Sequence, residues 1–598
     1  MKNENTKVTK GIKRALVGIT SVVMLMTNAA VFSASADTTG AAAETAVSSQ
    51  IDLSVGEKYH EHAIIPGNYT RDGHTFDFKY SDGFFETDPL QYNTHMANTS
   101  MAMAHASVTV VDGTDYSHGA DCITSVLEQE GFGDLSVSDT YLKKPDTDTV
   151  ASVIARKKIN TAEGEKTVVS ITVRSAGYEK EWASNVTVGY DANNRNAEAQ
   201  GFAKSADEVM KRVKEYLSDE TRAKEFKDGK IVFWLQGYSR GAAIANLTAK
   251  RIIDEYDGAP VYAYCHGCPQ GGTESSELYD KDYTSIHNVI NVNDVTTHVA
   301  PSKWGFKRYG VDHYLQDDNF DSESLRRNDL FENNLADNNC WAKPSDKKIQ
   351  DVCDQIYKLT DGKTPNEHMD NVQHHSPLLI TDRKVIREWT SAKVVYDDKH
   401  RETSERLSSL MDDIAAGVSR EEYVKSGMQD AIRRFMVFAN SGGGLEESLA
   451  KIKFDGLGDY IKDKNKWGIV NNLYLVNDDG QSLARDVWDT LINNKNRRFF
   501  IDFTENLRDN IANTAGYYIT KNDDILKQFE SYPGGSNQAV NDIKILIKNA
   551  LKGIKDINNV VSIAKVGGEL SRNHSFIQSL AWVRAADSWF EPTAKDCD

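Results

Sequence analysis

Cysteine is scarce: six in 598 residues, at Cys122, Cys265, Cys268, Cys340, Cys353 and Cys597. So few cannot frame a chain of this length, which excludes a disulfide scaffold while leaving room for one or two bridges after export. Cys265 and Cys268 form a single C-x-x-C with no second pair, at the end of an apolar run and leading into Pro269. That context reads as core packing rather than redox or zinc chemistry. Positive charge is also short, with 70 Lys and Arg against 88 Asp and Glu. An acidic surface repels nucleic acid and finds no attraction in anionic bilayers, whereas a neutral lipid or an ester-bearing glycan is not repelled. No apolar run after the N-terminal segment is long enough to span a membrane, and no internal repeat suggests a solenoid. Asp317-x-Asn319-x-Asp321 begins like a calcium loop, but Ser322 replaces the turn glycine and Asn328 stands where a bidentate Glu is needed. No metal or organic cofactor is expected.

What is present fits a folded, multidomain chain. The length implies roughly two to four domains, and 39% hydrophobic with 26% charged residues is an ordinary soluble balance. Lys2, Lys7, Lys10, Lys13 and Arg14 precede an apolar run from Ala15 to Met26, and Ala34-Ser35-Ala36 closes it like a cleavage site. Residues 1–36 are therefore expected to be a secretory signal, making the protein extracellular, with a membrane contact only through this cleaved segment. An uncleaved anchor is the alternative, weakened by Gly18, Thr20 and Ser21. Removing the leader moves the formal charge from -18 to about -22. Residues 37–57, rich in Ala, Thr, Ser and Gly, read as a flexible linker.

From residue 58 to 319 strands and helices alternate. Two early helices are expected around Met101 to Ala104 and Ile123 to Leu127. Val168 to Val173 reads as a buried strand, and Phe202, Ala206, Val209, Val213 and Tyr216 mark one face of a helix. Ile231 to Leu235, Val261 to Tyr264 and Val289 to Val292 read as further strands, with Ala242 to Ile253 a helix. This order predicts a mostly parallel sheet covered on both faces, with ligands beyond the carboxyl ends of its strands. Residues 320–565 turn to charged amphipathic helices such as Glu405 to Val418, Glu421 to Phe438 and Ala539 to Leu551, a helical insertion or cap. Residues 566–598 return to the core.

Gly237-Tyr238-Ser239-Arg240-Gly241 follows one strand directly and opens an Ala-rich helix. A nucleophile elbow needs that strand-to-helix turn, with small residues flanking a strained serine. Gly237, Gly241, Ala242 and Ala245 supply the space. A serine hydroxyl attacks only when a base takes its proton and an acid orients the base. Asp294, just past a strand, fits the acid. Downstream histidines are His298, His313, His368, His374, His375, His400 and His574.

Val173-Arg174-Ser175-Ala176 with Trp182, the elbow, Tyr262-Ala263-Tyr264 to Gly267-Cys268-Pro269, and Asn293-Asp294-Val295 to Pro301 together resemble the class 3 (fungal-type) lipase family, in particular its exported bacterial members. The resemblance spans about residues 80 to 315 and the extreme C-terminus. It implies an α/β-hydrolase fold with a large helical insertion and a serine esterase activity through an acyl-enzyme. It implies an oxyanion hole from the backbone N–H groups of Arg240 and Ala176, with Ser175 standing where the family usually has glycine. His574-Ser575-Phe576, leading into a final helix, resembles the family's catalytic His-Ser segment; His375, or His374, is the base if the core closes before the insertion. The segment Tyr178 to Trp182 lies where these lipases carry an apolar lid, and here it is mostly polar. The expected substrate is a carboxylic ester, lipid included. An amidase or peptidase using the same triad, or a non-catalytic exported binding protein on this fold, are the alternatives. Oligomeric state is not legible.

Overall fold

In this computed structural model the described residues are 62–71, 74–108, 115–191, 197–273, 282–291, 294–315, 418–441 and 523–553, with single positions 408, 412, 512, 516, 519, 520, 574, 576, 579, 580 and 583. The expected leader, the linker, the calcium-like loop, most of the expected insertion, Cys340, Cys353, Cys597, His368, His374, His375 and His400 lie outside them. Contacts divide the chain into two compact units. One contains the described residues up to 188 and from 197 to 408, with those from 574 on; the other contains 189–191 and the described residues from 412 to 553.

The larger unit opens with an antiparallel hairpin, β1 (Ile65–Arg71) and β2 (His74–Tyr80). Helices α1 (Thr94–Ala106) and α2 (Asp121–Gln129) follow where two early helices are expected. Next come β3 (Gly133–Val137), β4 (Ser152–Thr161), β5 (Gly164–Val173), α3 (Glu179–Asn185), α4 (Gln200–Leu217), α5 (Glu220–Lys227), β6 (Ile231–Tyr238) and α6 (Arg240–Glu255). The unit continues through β7 (Val261–His266), β8 (Gly272–Thr273), β9 (Ile286–Asn291), β10 (Phe306–Lys307) and β11 (Val311–Leu315). Seven strands make one sheet in the order β11-β9-β7-β6-β5-β4-β3. From β5 to β11 every pairing is parallel, and β4 and β3 extend that edge antiparallel. This is the mostly parallel sheet that the alternation of strands and helices predicts.

Burial explains why the central strands read as continuous apolar runs. Every residue of β6 is buried, because helices cover both faces of the sheet. α1 packs on β6, and Trp234 Nε1 donates to Ser100 Oγ at 3.0 Å; α6 packs on β6 and β7. Burying each side chain such as Phe233 or Leu235 contributes about 1.5–3 kcal/mol. On α4 the expected face of Phe202, Ala206, Val209, Val213 and Tyr216 is buried against the core. Leu580 and Val583 belong to the same hydrophobic cluster as the hairpin and α1, and Phe576 packs against it.

The smaller unit contains α7 (Arg420–Lys425), α8 (Met428–Asn440), α9 (Asp523–Gln528) and α10 (Gly535–Gly553). The single helix expected from Glu421 to Phe438 is broken at Gly427, which takes φ 78°. Glycine makes that left-handed turn without a side-chain clash. α8 packs on α10, where buried Asp542 accepts both Arg434 Nε and Nη2, at 2.7 and 2.9 Å, and Tyr532 OH at 2.8 Å.

Burial pushes His266 and His298 down to about 3 and His287 down to about 4, so all three are neutral in the fold. Below the ordinary histidine value the unfolded chain takes up these three protons and the native chain does not. Glu130 and Glu208, raised by burial, act in the opposite sense but are fewer. Stability is therefore expected to be full near pH 7 and to fall as pH drops from about 6.5 toward 4. Urea midpoints measured across that range check this.

Candidate active site

The centre of the site is a backbone conformation. Ser239 sits between β6 and α6 at φ 55° and ψ -123°, and its N–H donates to His266 O at 2.9 Å. Holding a non-glycine residue there costs on the order of 1–3 kcal/mol, so the surroundings must enforce it. They do so by close approach. A Cβ added at Gly237 would lie 2.4 Å from Gly241 O, and one at Gly241 would lie 2.4 Å from Val173 O. The end of β5, the elbow and the first turn of α6 are thus in backbone contact, which only glycine permits at both positions.

Asp294 leaves β9 and caps a 3-10 turn, Val295–His298, with its Oδ1 accepting from Thr296 N at 2.9 Å. Its other oxygen, Oδ2, lies 2.6 Å from His574 Nδ1, and His574 Nε2 lies 2.7 Å from Ser239 Oγ. A carboxylate only accepts, so Nδ1 carries the proton of the neutral ring and Nε2 accepts from the serine hydroxyl. The three groups are 1–7% exposed. Tyr238 stacks on the imidazole at a 5.1 Å centroid distance, and Phe576 lies 3.9 Å from the Tyr238 ring. Gly267, at φ 56°, completes this wall. A Cβ there would lie 3.4 Å from His574 Cε1 and 3.6 Å from Asp294 Oδ2.

The loop after β5 faces the start of α6. Gly241 approaches Val173 O and Arg174 O, so the Arg174-Ser175-Ala176 backbone lies beside the first turn of α6. Arg240 N–H is at that helix N-terminus, and among the described residues no backbone acceptor takes the Ala176 N–H. Such donors suit a developing negative oxygen.

A buried ion pair holds the loop. Arg174 Nη2 lies 2.6 Å from Glu181 Oε1, both side chains 1% exposed, and Glu181 Oε2 accepts Gly177 N–H at 2.9 Å. The polar run Tyr178 to Trp182 is thus no exposed strip. It enters α3, where Glu181 and Trp182 are buried. Sequence reading missed Glu181, whose only signal was its place seven residues after Arg174.

The other candidates lie elsewhere. His298 is buried in the turn after Asp294, and His313 Nε2 lies 3.0 Å from His287 Nδ1. Cys265 and Cys268 are free and buried, and burial pushes both thiols up, which keeps them protonated and supports packing. Among the described residues no group of His, Cys, Asp and Glu is arranged to hold a metal.

Residues 170–304 match the family model "Lipase (class 3)". The elbow, the Arg174 loop and Asp294 fall inside that match, and His574 falls outside it. Solved structures give matches to fungal lipases. A fungal lipase–inhibitor complex is 19% identical, over 37% of this chain and 79% of that one, with TM-score 0.27. Triacylglyceride lipase from Rhizomucor miehei is 20% identical, over 37% and 79%, with TM-score 0.26. Lipase from Rhizopus microsporus var. chinensis is 17% identical, over 38% and 75%, with TM-score 0.26. No match was found among the curated proteins.

Breaking a buried ion pair leaves one charge uncompensated. Glu181→Ala is expected to lower unfolding free energy by about 3–5 kcal/mol, and Glu181→Gln, which keeps an acceptor for Gly177, by less. Urea denaturation of the two variants measures both.

Proposed function

We propose that this chain is an exported serine hydrolase that cleaves carboxylic esters through an acyl-enzyme. One observation carries the reading: the hydrogen-bonded chain Asp294 Oδ2, His574, Ser239 Oγ, at 2.6 and 2.7 Å, ending on a strained elbow serine. The family match over 170–304 supports an ester or lipid substrate. The basic, apolar and small-residue order of the first 36 residues supports export.

Ser239 Oγ attacks the carbonyl carbon as its proton passes to His574 Nε2. The carbonyl oxygen takes the negative charge and is held by the N–H groups of Arg240 and Ala176. Asp294 keeps the proton on Nδ1 and stabilises the imidazolium. The C–O bond then breaks, the alcohol leaves with the proton from Nε2, and Ser239 carries the acyl group. Water repeats the sequence, giving its proton to Nε2, and releases the acid. The chemistry needs no metal.

A serine-directed fluorophosphonate is expected to label the protein once. Ser239→Ala should lose label and turnover, by about a million-fold if it follows a well-studied serine protease. His574→Ala should lose turnover with unchanged circular dichroism, and His375→Ala should lose little. Unchanged labelling of the Ser239 variant overturns the assignment. A 4-nitroanilide beside the esters tests the amidase alternative, which the shared chemistry allows.

Because Glu181 and Trp182 are packed into α3 rather than presented as an apolar flap, soluble short and medium acyl esters should be preferred over emulsified triglyceride. Rates across 4-nitrophenyl esters of rising acyl length measure this. A sharp rise once substrate exceeds its solubility limit contradicts it.

A further inference from the structure

Both backbone segments assigned to the oxyanion hole carry a fully buried arginine, and the two are treated differently. Arg174 is neutralised by Glu181 at 2.6 Å. Arg240, 1% exposed, has no carboxylate within hydrogen-bond reach among the described residues. Asn185 Oδ1 accepts from its Nη1 at 2.9 Å, Ser205 Oγ from Nη2 at 2.8 Å and Thr149 O from Nη2 at 3.2 Å. Its Nε has no partner among the described residues, and the Phe202 ring lies 5.8 Å from its Cζ. Every one of these neighbours is neutral.

A buried cation without a counter-ion is costly, because its hydration is lost and neutral acceptors replace it only in part. The cost shows in the guanidinium itself, which burial pushes down to about 10. The charged groups that act on it are Glu181, Asp148, Glu208 and Arg174. Glu181 is taken up by Arg174, Asp148 lies 3.3 Å from Lys204, and the charge of Glu208 also acts on Arg212. Over these groups and their partners one positive charge remains, that of Arg240, one residue from the nucleophile.

We propose that the uncompensated charge of Arg240 is a positioning charge for the ester hydrolysis described above, adding to the helix N-terminus a standing positive potential that stabilises the tetrahedral oxyanion. This rests on Ser239 being the nucleophile. The ground-state carbonyl carries only a partial charge and the intermediate a full one, so the effect falls on kcat and leaves KM nearly unchanged. The guanidinium itself touches no substrate atom; only its backbone N–H does.

The most direct test neutralises the charge without removing the side chain. Asn185→Asp puts a carboxylate where Oδ1 already accepts from Arg240, retaining shape and hydrogen bonds. It is expected to lower kcat on a 4-nitrophenyl ester about tenfold, with KM unchanged and the melting temperature not lowered. Affinity for phenylboronic acid, which becomes a tetrahedral anion on the serine, should weaken by about the same factor. Arg240→Met should show the same two losses, and Arg240→Lys, which restores the charge with fewer hydrogen bonds, should recover most of each. Full kcat and full boronate affinity in Asn185→Asp overturn the proposal. So do equal losses in the Lys and Met variants, which mark a purely structural arginine. If Ser239→Ala still turns over ester, the hydrolase reading itself falls; if turnover depends on Ser239 but ignores Asn185→Asp, only the role of Arg240 falls.

Discussion

The whole arrangement depends on one steric constraint: three stretches of backbone meet without a side chain between them. Gly237 faces Gly241 O, and Gly241 faces Val173 O, both at distances no Cβ tolerates. That contact forces Ser239 into its strained conformation, brings the start of α6 against the end of β5, and so sets the serine and both proposed N–H donors in one act. The strain is borne by the sheet. β6 is buried along its whole length and paired in parallel on both sides, so it cannot relax toward the serine.

Around this contact the protein keeps charge in places where charge is expensive. Arg174 and Glu181 offset one another, and Asp294 meets His574 with its second oxygen held by a backbone N–H. Arg240 is the exception, held by neutral acceptors. Buried pairs of this kind add little net stability compared with an apolar core, but they fix geometry, since each partner tolerates only one placement of the other. In the smaller unit Asp542 plays the same part, gathering Arg434 and Tyr532 on α8 and before α10.

Legibility in the sequence followed the range of the interaction concerned. Gly237 to Gly241 was readable because a nucleophile elbow is a local event: strand, turn and helix adjoin in the chain. The apolar runs of β5, β6, β7 and β9 were readable because both faces are covered. β4 was not, since Arg156, Lys157 and Lys158 interrupt its apolar pattern, and neither was the break at Gly427, where helical periodicity continues on both sides. His574 carried no periodic signal and was singled out through family resemblance alone. Glu181 was not singled out because its burial depends on Arg174, and pairing between buried charges leaves no trace in composition. Arg240 was named for its backbone, and the neutrality of its surroundings became visible only once Asn185 and Ser205 were placed beside it.

His574 stands 280 positions after Asp294 and 335 after Ser239. Closing so long a loop adds only slowly to the entropic cost, since each doubling of length costs about 0.6 kcal/mol. The larger effect is on timing. A chain emerging from the ribosome can complete the elbow and the sheet while His574 is still unmade. On the proposed chemistry such a nascent chain is silent until His574 has been delivered and has met Asp294 and Ser239.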